Sequence, residues 1–365
     1  MRKIKKTDVK IDERHVGTLI EYENRIAFQY STYWLAEGFS LNPFSLPLKN
    51  ELFIPKDFEF EGLFGVFADC LPDGWGRFLT DRYLQTKGIS KEEINPLTRL
   101  CMLNRNSSGS LEYLPQIESD DNLHQEDFDD IFMTARNILG EISVAEEEIE
   151  CLYRKGGSSG GARPKVNALI DNELWIVKFP SSFDGNDAGK MEFECNERAV
   201  DAGLDVAPFR LMKSSLTKGF FASKRFDRKK EKRIHMISLS GLLESSPMYP
   251  SLDYYHLLKA TAILTQSEKE VEEAFRRACF NVFLGNQDDH GRNFAFLYEE
   301  GRRWYLSPAY DLTVSNTSFG EHSTTVMKKG KNINDDDLRR LADEFAIKES
   351  KREEIIKDTR RAVKK

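Results

Sequence analysis

An apolar run that stops abruptly at a cluster of acids and amides constrains this chain more than any other stretch. Residues 281–312 read NVFLGNQDDHGRNFAFLYEEGRRWYLSPAYDL. The apolar run ends at Leu284, and Asn286, Asp288, Asp289, His290 and Asn293 follow, bracketed by Gly285 and Gly291. Glycine on both sides of the acids predicts a loop at the end of a buried helix. FAFLY and RWYL alternate around Glu-Glu-Gly, which predicts a hairpin. A third acid, Asp311, comes after Pro308-Ala309-Tyr310.

An acid, an amide five residues on and another acid beyond a short hairpin suit phosphoryl transfer from ATP. That reaction needs a carboxylate to orient or deprotonate the acceptor. It also needs an amide and an acid to hold the magnesium ions that bridge the phosphates. Asp288, Asn293 and Asp311 fit those roles in order, and the Asp288-to-Asn293 spacing equals that of the protein-kinase catalytic loop. The His-Arg-Asp triplet of ordinary kinases is absent. A plain Asp/Asn/Gly surface loop capping a helix is the competing reading of the loop alone.

The second informative stretch is residues 156–180, GGSSGGARPKVNALIDNELWIVKFP. Gly157, Ser158, Ser159, Gly160 and Gly161 make a turn whose backbone N–H groups can approach phosphate oxygens. It is neither the Walker pattern nor GxGxxG, since Lys165 precedes Val166. VNALI, the turn Asp171-Asn172 and ELWIVKF then predict paired strands. Lys178 shares a strand face with Leu174 and Ile176, a costly place for a cation unless it meets an anion. Kinases put a lysine there to hold the α- and β-phosphates and pair with a helix glutamate. The helix MEFECNERAVDAG offers Glu194 and Glu197. Glu197 is preferred because Met191, Cys195 and Ala199 are expected to mark the buried side. GFFASKRFDR, residues 219–228, reads as a strand leaving one lobe for the next. Backbone groups of such a connector hold adenine in kinases, which brings Lys224 and Phe226 into the candidate nucleotide set.

Elsewhere, residues 8–35 read as short strands with a turn at Glu21–Asn24, and LNPFSLPL as loop. Residues 62–84 become helical after Gly76. Residues 104–111 and 116–127 are polar loops, and 128–140 form an amphipathic helix stopped by Gly140. From residue 238 the pattern is helical, and the C-terminus is helical and charged. With 365 residues, two domains or one large bilobal unit are expected. The net charge of −7 disfavours direct nucleic-acid binding, because such proteins usually carry a basic excess. The basic run 228–233 reads as a solvated face. Single, scattered cysteines at 70, 101, 151, 195 and 279 suggest neither a disulfide frame nor a zinc site. With no membrane-span-length apolar run and no signal peptide, a cytoplasmic protein with reduced thiols is expected.

Seven pieces together resemble the HipA family of bacterial serine/threonine kinases, toxins of type II toxin–antitoxin modules. They are VGTL, GLFGVFADCLPDGWGR, GGSSGGARPK, WIVKFP, KRFDR, NQDDHGRN and SPAYDL, spread over residues 8–315. The resemblance implies an α+β, atypical bilobal protein-kinase-like fold with a β-rich N-terminal region and a mostly helical C-terminal lobe. It implies an N-terminal subdomain over 1–100, a nucleotide lobe over 101–225 and a catalytic lobe over 226–365. It makes Asp288 the catalytic aspartate, Asn293 and Asp311 magnesium ligands and Lys178 the ATP lysine. Ser158 matches the serine that family members autophosphorylate, with Ser159 adjacent. It implies ATP and Mg²⁺ as cofactors and a HipB-like helix-turn-helix antitoxin as partner. DNA would be reached only through that antitoxin, and an aminoacyl-tRNA synthetase is the implied class of substrate. Against the pattern, Asp289 directly follows Asp288, where it is placed to compete for metal.

Three other functions fit parts of the sequence. A small-molecule phosphotransferase would show the same lysine, acids and amide. A non-catalytic HipA-like subunit of a repressor complex would not need Lys178, Asp288, Asn293 and Asp311 intact. A metal phosphoesterase using Asp288, Asp289 and His290 needs further ligands, and histidines 15, 124, 235, 256 and 322 show no ligand spacing.

Overall fold

The computed structural model describes residues 3–117, 127–140, 142–158, 160–230, 232–246, 249, 251–301, 303–317 and 319–365. Ser159, His124 and most of the polar stretch 116–127 therefore lie outside the described residues. The chain forms two compact units, Met1–Lys190 with Arg210–His235, and Met191–Phe209 with Met236–Lys365.

The first unit opens with β1 (Lys6–Ile11), β2 (Arg14–Tyr22) and β3 (Arg25–Tyr30). Both connections are two-residue turns with positive φ, at Asp12-Glu13 and Glu23-Asn24. That geometry matches the twist of the flanking strands and sets the register Gly17↔Tyr30 and Leu19↔Phe28. The expected strands stop at Tyr30. Thr32–Glu37 is instead a helix, α1, because the Ser31 side chain accepts from the Trp34 N–H at 3.1 Å and caps it. The short helix α2 (Gly65–Ala68) and α3 (Gly74–Thr86) carry GLFGVFADCLPDGWGR. After α4 (Pro96–Cys101), the strand β4 (Glu112–Leu114) completes a sheet ordered β3-β2-β1-β4.

The amphipathic helix α5 (Phe128–Leu139), capped at Gly140, and α6 (Glu146–Gly156) precede a second sheet. Its strands β5 (Lys165–Ile170), β6 (Glu173–Lys178), β7 (Phe209–Met212) and β8 (Phe220–Lys224) lie in the order β5-β6-β8-β7. Asp171 and Asn172, both at positive φ, close the β5–β6 hairpin. Trp175 and Val177 face a core with Trp75, Leu79, Phe132, Ile138 and Phe220. A two-stranded ribbon, β9 (Arg228–Lys229) and β10 (Lys232–Arg233), follows.

The second unit contains most of α7 (Ala188–Asp201). Strand β11 (His235–Ser238) runs into α8 (Leu239–Leu242), then α9 (Tyr254–Thr265) and α10 (Glu268–Leu284). Helix α10 ends at Gly285, whose φ of +75° and N–H to the Asn281 carbonyl turn the chain out of the helix. The expected hairpin is β12 (Ala295–Tyr298) with β13 (Tyr305–Leu306), joined to β11 in one sheet. Two charged helices, α11 (Asp335–Asp343) and α12 (Glu349–Val363), close the chain. Among the described residues, no helix is long and apolar enough to cross a membrane.

Candidate active site

The loop after α10 is held by its own polar side chains. The Asn293 Nδ2 donates to the Asp288 carbonyl at 2.7 Å. The Asn286 Nδ2 donates to the Asp311 carbonyl at 3.2 Å and to Asn281 Oδ1 at 3.1 Å. Ser315 Oγ donates to Asn286 Oδ1 at 2.9 Å and accepts from the Asp288 N–H at 3.0 Å. Asp288, Asn293 and Asp311, separated by the β12–β13 hairpin in sequence, are thereby tied into one constellation. The approach to Asp311 is fixed as well. Arg277, 2% exposed, donates to the Ser307 carbonyl at 2.6 Å. Ala309 N–H reaches the Asp205 carbonyl at 2.7 Å, and Tyr310 Oη donates to the Arg292 carbonyl at 2.6 Å.

The two adjacent acids have opposite surroundings. Asp288 is exposed, whereas Asp289 is 0% exposed. Asp289 Oδ2 accepts from Tyr254 Oη at 2.7 Å and lies 2.9 Å from His322 Nδ1, and Oδ1 accepts from the Thr324 N–H at 3.1 Å. Its carboxylate is saturated inside the unit, so it is not a competitor for metal. The phosphoesterase reading loses its second acid for the same reason, and no group of three metal-ligating acid, thiol or imidazole side chains occurs among the described residues. Sequence reasoning missed Tyr254, His322 and Thr324. Their partner is more than 30 residues distant, and no local pattern marks them.

In the first unit, Lys178 ends β6 and is half-buried, on the face opposite Trp175 and Val177 as its spacing predicts. Its Nζ lies 5.6 Å from the centroid of the Phe221 ring. Lys165, 7% exposed, stands directly across the strand pair from Lys178. Two like charges opposite one another disfavour a strand pair unless opposite charge lies beside them. In sequence, Lys165 departs from the Walker pattern and lies near enough to Ser158 and Ser159 to pair with a phosphate placed there. Its place in the β5–β6 register gives it the same claim on an anion as Lys178.

The glycine-rich turn follows α6 directly, with the Gly157 N–H on the Tyr153 carbonyl at 2.7 Å. LPDGWGR clamps it. The Asp73 carboxylate accepts from the Gly161 N–H, Trp75 N–H donates to the Gly161 carbonyl at 2.9 Å, and Trp75 Nε1 donates to the Lys165 carbonyl at 3.1 Å. A Cβ on Gly161, at φ +87°, would meet Lys165 Nζ at 2.5 Å, and one on Gly160 would meet the Asp73 carboxylate at 3.2 Å. Ser158 is buried, and its Oγ has no hydrogen-bond partner among the described residues.

Glu197 is exposed on α7 while Cys195 and Ala199 are buried, the sidedness expected for that helix, but Met191, expected on the buried side, is 45% exposed. The buried acid of that helix is Glu192, at 2% exposure. Lys224 donates its ammonium to Glu173, and Phe226 is half-buried. Between and beyond them, buried Arg225 binds Asp227, Asn167 Oδ1 and the carbonyls of Asn106 and Ser107. Burial alone would raise the Asp227 pKa, but Arg225 and Arg228 outweigh it and hold the carboxyl well below the usual carboxylate range. The basic run thus begins with an internal ion cluster, not a solvated face.

A β-rich N-terminal region, a lysine-bearing antiparallel sheet and a helical unit carrying an Asp–Asn–Asp constellation define an α+β protein of kinase-like fold. Residues 157–365 match the HipA-like C-terminal domain and residues 7–114 the HipA N-terminal domain. The chain belongs to the HipA family. It is 27% identical over 315 residues to "Putative kinase Y4dM" of Sinorhizobium fredii, covering 81% of this chain and 73% of that protein. It is 26% identical to "Putative kinase Y4mE" of the same organism, covering 88% and 80%. Among solved structures, a chain from the toxin–antitoxin HipA, HipB and operator DNA complex of Shewanella oneidensis matches with a TM-score of 0.73. It is 17% identical, and the match covers 98% of this chain and 88% of that one.

Proposed function

We propose that this protein is an ATP-dependent serine/threonine protein kinase, a HipA-like toxin acting on a translation factor such as an aminoacyl-tRNA synthetase. The carrying observation is the pair of bonds that fix Asn293 to Asp288 and Asn286 to Asp311. The relatives named as kinases support the same chemistry. Asp288, the exposed acid, accepts or orients the proton of the attacking hydroxyl. The Asn293 amide nitrogen is spent on the Asp288 carbonyl, which leaves its Oδ1 as a ligand. With the Asp311 carboxylate this makes an all-oxygen donor set of the kind Mg²⁺ prefers, one or two protein oxygens plus phosphate and water. When bound, the ion supplies charge neutralisation at the phosphates. Lys178, with Lys165 beside it, binds phosphate oxygens. Gly157, Ser158, Ser159, Gly160 and Gly161 form the nucleotide loop, and Lys224, Phe226 and Glu197 complete the proposed nucleotide set.

Autophosphorylation at Ser158 or Ser159 would switch the enzyme off, because a new phosphate there carries nearly two negative charges that oppose those of ATP. The buried Ser158 hydroxyl requires the turn to leave its clamp before modification. A HipB-like helix-turn-helix antitoxin is the proposed partner, supported by the likeness to the HipA, HipB and operator DNA complex.

The test is labelled ATP with magnesium and a cell lysate, using the wild type and Asp288→Asn. The wild type should label one protein, and Asp288→Asn should lose about 10²–10⁴-fold in transfer while still binding ATP. Transfer by Asp288→Asn at the wild-type rate would remove Asp288 from the mechanism. Mass spectrometry of the chain after ATP treatment should find phosphate on Ser158 or Ser159 in the wild type alone.

A further inference from the structure

Asp289 is a fully buried carboxylate with no assigned task, directly after the exposed Asp288. Three side chains from two parts of the fold converge on it. Tyr254, 0% exposed, comes from the first turn of α9, and His322 and Thr324 come from the segment after Asp311. Thr324 is bound twice, with its N–H on Oδ1 at 3.1 Å and its Oγ1 on the Asp289 carbonyl at 2.5 Å. Tyr254 Oη also accepts from Asn281 Nδ2 at 2.9 Å, and Asn281 Oδ1 accepts from Asn286, which holds the Asp311 carbonyl. Burial and the neighbouring Asp289 push the Tyr254 phenol well above its usual pKa. It therefore stays protonated and donates. Gln287 ties the same two segments by backbone, donating to Ser315 at 3.1 Å and accepting from Ser323 at 2.9 Å.

A buried acid needs partners merely to be tolerated, but mere tolerance does not require this path. The bonds run without interruption from His322 through Asp289 and Tyr254 to Asn281, Asn286 and the backbone of Asp311. Asp288 is the next residue along from the anchored carboxylate. We propose that Tyr254 and His322 are positioning residues for phosphoryl transfer, clamping Asp289 so that Asp288 is presented to the acceptor in one fixed orientation. This rests on the kinase reading above. Neither residue touches substrate. Each acts by restricting where the Asp288 carboxylate sits, and a displacement of about 1 Å at a reacting group costs on the order of 10²-fold in rate.

The experiment compares wild type, Tyr254→Phe, His322→Ala and His322→Asn. Each is given labelled ATP with magnesium and the lysate protein that the wild type labels, with rates expressed per folded molecule. Tyr254→Phe and His322→Ala should lower kcat by about 10–100-fold while the KM for ATP changes less than about threefold. His322→Asn keeps a donor at the Nδ1 position and should recover most of the loss. If His322→Ala does not fold, Tyr254→Phe and His322→Asn still decide the matter. A lowered melting temperature with wild-type kcat, or a loss confined to the KM for ATP, would overturn the positioning role and leave the kinase reading standing. A wild type that transfers no phosphate from ATP would instead sink the kinase reading, before any variant is compared.

Discussion

Asp311 sits at φ +53°, a backbone region that Asp and Asn tolerate better than other side chains. A fair test of its proposed metal role is therefore Asp311→Asn, which keeps the backbone and removes the charge. Nucleotide binding should weaken about tenfold in magnesium and much less in EDTA, measured by titration calorimetry, as expected if the lost interaction is with the cation. Equal losses in both would remove the metal role. At His235, burial couples stability to pH in the mildly acidic range. Burial pushes its imidazole down to about 4, partly opposed by the Leu41 carbonyl, which lies 2.9 Å from Nε2. The unfolded chain takes up a proton near pH 6.5 and the folded chain only near 4, so stability is lost as pH falls through that window. The loss should total roughly 3 kcal/mol. Urea unfolding at pH 7 and 5 should show most of it, and His235→Gln should flatten the difference. Asp227 cannot account for that window, because its depressed pKa makes its contribution disappear only below about pH 4.

Elements were legible where the pattern that makes them is local. The β5–β6 and β12–β13 hairpins, the α5 stop at Gly140 and the loop after α10 follow from alternation and turn chemistry alone. The glycine-rich turn was legible as a turn, but its clamp was not. Asp73, Gly74 and Trp75 meet it across about 88 residues of sequence, and only tertiary packing brings them together. Gly74 shows how close the fit is. Its φ is +39°, and an added Cβ would meet the Gly161 carbonyl oxygen at 2.6 Å. Gly74→Ala should destabilise the first unit by roughly 2–4 kcal/mol, through strain at positive φ and a backbone clash that no rotamer relieves. Asp73→Ala should cost less, about 1–3 kcal/mol, by leaving the Gly161 N–H without its acceptor. Thermal melts of both variants check the order. A larger loss for Asp73→Ala would mean that the turn yields easily to a methyl group.

Across the whole molecule, the order of glycine turn, lysine strand and acid loop could be read in advance from local pattern, and the α+β class followed from the resemblance those stretches carry. The partners of buried charges could not. Glu192, Arg225, Asp227, Asp289 and Arg277 look like any surface residues in sequence, and only the fold shows that they are interior. The passage of residues 191–209 into the second unit was equally hidden. The chain passes between the two units after Lys190, after Phe209 and again after His235. Cys195, Ala199, Ala202 and Leu204 from the earlier pass pack with Phe280, Leu284, Ala309, Leu312 and Ala362 in one apolar cluster. A fragment of residues 236–365 keeps Asp288, Asn293 and Asp311 but loses that early contribution, and it should lack a cooperative unfolding transition by circular dichroism. A fragment that melts as sharply as the intact chain would contradict this. The same cluster sets a schedule for synthesis. Cys195, Ala199, Ala202 and Leu204 can meet Phe280, Leu284, Ala309 and Leu312 earlier, but their contact with Ala362 must wait until that residue has left the ribosome tunnel. That cluster, which includes Leu284 and Leu312 on either side of the Asp288 loop, therefore closes only after residue 362 has been made.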